Sequence, residues 1–179
     1  MQADYAKKIC LNAEGKGRIE LPGEKYVFEY ESQVDLKNNK FDLVLDFPIK
    51  GQSLISLSLD PKLAKSTIAR SNLLELFRER VKDRANREEL VKALSAFFEM
   101  TAEFVAARSQ NIFPEGFTAT LENNHFKLLR LSPQFKFEVD SYAFNQKYFE
   151  RTELKIFPNQ GASAAPVMSL FLVPSNCSP

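Results

Sequence analysis

Residues 26–47, YVFEYESQVDLKNNKFDLVLDF, read as two half-buried strands joined by a turn. Tyr26, Phe28 and Tyr30 recur with period two against Glu29 and Glu31, and Phe41, Leu43, Leu45 and Phe47 do the same against Asp42 and Asp46. Successive strand residues point to opposite faces, so this spacing puts the aromatic and aliphatic side chains on one side and the carboxylates on the other. Val44 is the apolar residue that interrupts the polar face. Asn38-Asn39 between the runs suits a tight connection, because asparagine tolerates left-handed backbone.

The pattern extends in both directions. Strand alternation runs from Gly17 to Leu59, with Ile55, Leu57 and Leu59 against Ser56 and Ser58, and with breaks at Pro22-Gly23 and from Pro48 to Gly51. Four antiparallel strands in a meander are expected. At Asp60-Pro61 the period becomes helical, with Asp60 as N-cap and Pro61 in the first turn. Leu63, Leu74, Phe77 and Val81 form the stripe of one helix. A charged corner leads to Asn86 and Glu89, which read as a capping-box restart. Leu90, Leu94, Phe97, Phe98, Thr101 and Val105 then make one apolar face of a second helix that ends before Pro114. From Phe117 strands return, with Asn123-Asn124 as a hairpin turn and Phe135, Phe137 and Val139 opposing Lys136, Glu138 and Asp140. Tyr148 to Phe157 and Val167 to Val173 complete about nine strands, split four and five around the insertion. The expected fold is α+β, a curved antiparallel sheet or unclosed β-barrel with an N-terminal helix and a two-helix insertion, in a single domain spanning 1–179.

Composition excludes several function classes. With 24 Lys+Arg against 23 Asp+Glu, the chain lacks the charge that phosphate neutralisation requires, so nucleic acid is not an expected partner. Met1 to Asp4 does not begin a signal peptide. The longest apolar stretch, Ala164 to Val173, is half a bilayer span and is broken by Pro166 and Ser169. The single histidine, His125, and two distant cysteines do not make a zinc site, and no metal or cofactor is expected. Gly15-Lys16-Gly17 lacks the rest of a phosphate-binding loop. His125 follows the Asn-Asn turn and reads as an exposed strand-start residue. Glu29 with Glu31 and Asp42 with Asp46 could align as carboxylate pairs, but glycoside hydrolysis needs them ~5–10 Å apart inside a cleft, and alternation puts them on the solvent face. No catalytic residue emerges, and the chain is not expected to be an enzyme.

Cys10 and Cys177 flank the folded region. They are expected to pair in the oxidised protein, tying the first helix to the tail beyond the last strand, with Cα atoms within ~7 Å; two unrelated free thiols are the other reading. A bridge closing nearly the whole chain is worth on the order of 5 kcal/mol by chain entropy alone.

There remain 16 Phe and 5 Tyr with no Trp, placed on the inward face of almost every strand and on the second helix. An ordinary Phe-rich core explains any one of them. Taken together they also suit a curved sheet facing helices around an apolar cavity. The candidate acyl-binding residues are Phe28, Phe41, Leu45, Phe137 and Val139 on the concave face, with Phe97, Phe98 and Val105 as a lid.

The order of an N-terminal helix, a meander opening at Gly17-Arg18-Ile19-Glu20-Leu21 and Tyr26-Val27-Phe28-Glu29-Tyr30, a helical insertion and returning strands resembles the bacterial LolA and LolB lipoprotein carriers and related lipid-binding lipoproteins. That resemblance implies an unclosed β-barrel covered by helices that holds an acyl chain or the lipid anchor of a lipidated protein. It also implies a monomer in the periplasm or cell envelope, its export signal removed ahead of Gln2, with peripheral membrane contact. A protein–protein interaction or envelope-assembly module with a solid core is the alternative function.

Overall fold

Two-residue turns set the local order of the strands. Asn123 and Asn124 both adopt left-handed backbone, with φ of 50° and 63°, the geometry of the hairpin turn that matches strand twist. Pro22-Gly23 connects a second hairpin, with Gly23 at φ 79° where a side chain would be strained. The computed structural model describes residues 2–48, 51–60, 83–159 and 165–178. Its elements are α1 (Gln2–Ala6), β1 (Asn12–Leu21), β2 (Glu24–Asp35), β3 (Lys40–Phe47), β4 (Gly51–Ser58), α2 (Arg84–Ser109), β5 (Phe117–Glu122), β6 (His125–Leu131), β7 (Phe135–Phe144), β8 (Phe149–Pro158) and β9 (Met168–Ser178).

The nine strands form one open, curved antiparallel sheet in the order β4-β3-β2-β1-β9-β8-β7-β6-β5. β1 and β9 pair side by side, so the two meanders meet through the chain ends and leave β4 and β5 as edges. α2 touches both β4 and β7 and so crosses the apolar face. Nearly every inward position of the strands joins a single apolar cluster with Leu90, Leu94, Phe98 and Val105 of α2.

Several expectations need correction. α1 has five residues, and Cys10 lies beyond it. After Ala6 the backbone tightens, Lys8 N–H donating to Tyr5 O and Ile9 N–H to Ala6 O, before it straightens into β1. Cys177 is inside β9, which runs on to Ser178 rather than ending at Val173. Pro174 is tolerated there because the β1–β9 register shifts between Glu14 and Gly15, and an irregular ladder spares a missing N–H. β1 starts at Asn12, upstream of Gly17; Ala13, Gly15 and Gly17 carry no bulk that would mark an inward face.

The second helix begins at Arg84 rather than Asn86, because Asp83 is its N-cap. Asp83 Oδ1 accepts from Ala85 N–H at 2.8 Å, and its carbonyl accepts the first helical bond from Arg87 N–H at 3.0 Å. At the far end Asn111 is left-handed at φ 58°. Asn111 N–H donates to Arg108 O and Ile112 N–H to Ala107 O, a Schellman ending that stops the helix before Pro114. The expected helix carrying Leu63, Leu74, Phe77 and Val81 lies outside the described residues.

Candidate functional site

Cross-strand register assembles the apolar face. Phe28 opposes Gly17, Tyr30 opposes Gly15 and Leu45, and Phe41 opposes Leu57. In the other half Phe137 opposes Ile156, and Val139 opposes Leu154 and Leu128. Of the candidate binding residues, Phe28, Phe41, Leu45, Phe97, Phe98, Val105 and Phe137 are buried in one cluster, and Val139 packs half-buried against it. Phe98, Val105 and Phe137 are 1%, 0% and 2% exposed. The rings are close: Phe28 lies 5.5 Å from Phe47 and 6.4 Å from Tyr30, and Phe97 lies 5.5 Å from Phe98, centroid to centroid. Such tilted and edge-on pairs are the favoured aromatic geometries. Leu43, expected fully inside, is half-buried.

Sequence reading overlooked parts of this face. Phe126 and Phe149 are fully buried and stack at 6.0 Å. Tyr5 stacks on Phe126 at 6.0 Å, and Ile9 is buried in the same cluster. Ile9 lies beyond the end of α1, so no helical spacing in the sequence links it to Tyr5. The Arg108 guanidinium at the end of α2 donates to the carbonyls of Ile9 and, at 2.8 Å, of Lys7. Burial pushes its pKa down to about 10, which leaves it charged at neutral pH. Tyr30 sits in the interior, where burial, and secondarily the Tyr148 phenol, hold its pKa above the ordinary value.

The opposite face is polar. Glu29, Glu31 and Asp46 are exposed, and half-buried Asp42 pairs with Lys40 at 2.7 Å and accepts from Ser56. Glu29 directly opposes Asp46, and Glu31 opposes Glu14, beside a shallow recess of about 490 Å³ that also includes Lys16 and Gln52. Directly opposed like charges are unfavourable, and Lys16 opposite Glu29 offsets part of that. A second recess, of about 370 Å³, is bordered by Lys127, Glu138, Asp140, Glu153 and Lys155. His125 is less exposed than expected: its ring stacks on Tyr142 at 5.0 Å and its Nδ1 lies 2.9 Å from Asp140 Oδ1.

A disulfide joins Cys10 to Cys177, with Cα atoms 5.9 Å apart. Among the described residues, no group of three or more His, Cys, Asp and Glu side chains is placed to hold a metal ion. No described helix is long and apolar enough to cross a membrane. No family profile and no curated protein matches this chain.

Proposed function

We propose that the protein is a non-enzymatic binder or carrier of acyl chains, whether free, in lipids or on lipidated proteins, and that it works in the cell envelope. One observation carries this reading: a single nine-stranded sheet turns one face of mainly aromatic and aliphatic side chains into a common cluster with α2. Nine strands at ~4.8 Å spacing span ~40 Å, whereas one helix is only ~10 Å wide. A sheet that broad, curled about a helix, suits enclosure of a long apolar ligand. Each methylene withdrawn from water contributes ~0.8 kcal/mol, so such a site needs no polar constellation. The likeness of element order to the LolA and LolB carriers supports the same reading.

A second reading, an interaction module with a solid core, draws on the near-complete burial of Phe98, Val105 and Phe137 and on Val27, Leu54 and Val173 exposed on the polar face. Native mass spectrometry of freshly purified protein, followed by lipid extraction, separates the two. Delipidated wild-type protein should then bind fatty acids, phospholipids or acylated peptides saturably. Phe98→Asp should weaken that binding while Glu29→Gln leaves it unchanged, with thermal melts showing that both variants remain folded. Folded, delipidated wild-type protein with no saturable acyl binding overturns the proposal in favour of the interaction module.

A further inference from the structure

Among the described residues, the β8–β9 ladder is shorter than either strand. β8 begins at Phe149 and β9 continues to Ser178, yet the two strands pair only between Thr152↔Leu172 and Ile156↔Met168. Beyond Leu172, β9 pairs with β1 alone among the described residues. The Phe149 N–H, directed away from β7, donates instead to Lys8 O at 3.1 Å. Residues 5–10 therefore take the place of the missing β8–β9 ladder. Tyr5 stacks on Phe126 and meets Phe144 edge-on at 6.5 Å, while Ala6 and Ile9 enter the core. Arg108 holds the carbonyls of Lys7 and Ile9 from the α2 side, and Cys10 is bonded to Cys177 on the β9 side.

We propose that residues 5–10 are a seal across a lateral opening between β8 and β9, and that the Cys10–Cys177 disulfide is its redox latch. Both cysteines are half-buried rather than enclosed, so a solution thiol can reach them. A dithiol reductant opens the latch by exchange. One of its thiolates attacks a disulfide sulfur to give a mixed disulfide, and its second thiol displaces the protein sulfur. The dithiol is oxidised to a disulfide, and two electrons and two protons pass to Cys10 and Cys177, which become thiols. The seal is then held by its ring contacts and by hydrogen bonds that exchange readily with water. Opening bares Phe126 and Phe149, the nearest part of the apolar interior. That an acyl chain passes there rests on the function proposed above; the seal itself does not.

Hydrogen exchange of the full chain tests this in three forms: oxidised, reduced with dithiothreitol, and as the Cys10→Ser/Cys177→Ser variant. At short labelling times, exchange in residues 2–11, 149–151 and 173–178 should rise at least about tenfold in the last two forms while 94–105 stays protected. Arg108→Gln with the disulfide intact should speed exchange in residues 5–10 alone, and by less. If both thiols alkylate and those segments exchange as before, the latch is disproved. If all segments accelerate together, the disulfide is a global staple and the seal is likewise disproved. None of these readings requires a ligand. A protein whose exchange behaves as expected but which binds no acyl chain keeps its seal and loses its proposed cargo.

Discussion

The phenyl ring of Phe28 lies over Gly17, its cross-strand partner, and fills the volume that a Cβ at position 17 would need. At Gly15, two pairs further along, a Cβ would meet the backbone of Val173 and Pro174 first, with the Tyr30 ring beside it at 3.0 Å. An aromatic residue on β2 thus supplies the inward bulk that β1 lacks. Gly17→Ala should destabilise the protein by ~1–3 kcal/mol through overpacking. Adding Phe28→Leu should return part of that loss, a coupling that a double-mutant cycle in denaturant would measure.

Phe137 is 2% exposed and sits between Arg130 and Ile156 in the ladders of β7. Phe137→Ala should cost ~3–5 kcal/mol, the range for removing a ring from a tight core. A change under about half a kcal/mol would mean that the space around the ring collapses freely, contrary to its packing.

Tyr30 makes stability sensitive to alkali. Its phenol is held neutral by burial, so its folded pKa lies above the ordinary value of 10.0. In the unfolded chain the phenol ionises first. The folded state then retains the proton that the unfolded state has lost, and the stabilisation present below about pH 10 is lost as pH rises through the folded pKa. Melting temperatures from about pH 9 to about pH 11 should therefore fall more steeply for wild type than for Tyr30→Phe. Parallel curves would place the phenol in contact with water.

Asp83 starts α2 by accepting from Ala85 N–H at 2.8 Å. Asp83→Ala should cost ~1 kcal/mol in chemical denaturation, whereas Asp83→Asn should cost only a fraction of that, because asparagine caps nearly as well. Equal losses in the two variants would assign the effect to charge rather than to the cap.

Period-two alternation was enough to tell the inward side of residues 26–47 and 135–139, because facing along a strand is a local property. The Asn123-Asn124 and Pro22-Gly23 turns were legible for the same reason, their backbone demands being met within a few residues. The seven buried candidate residues were readable as an apolar set from spacing alone. Tertiary structure decided the rest. The pairing of β1 with β9 joins residues at opposite ends of the chain, and that pairing brings the backbone of Val173 and Pro174 against Gly15 and accommodates a proline within a strand. Tyr5, Lys8 and Ile9 carry no local pattern that announces a seal, since their partners come from β6, β7, β8 and the far end of α2. His125 reaches Asp140 diagonally across β6 and β7, where Asp140 directly opposes Lys127. Local periodicity determines which side of each strand is apolar; which strands meet, and what stands in for the rest of the β8–β9 ladder, depends on contacts that exist only once the whole sheet has formed.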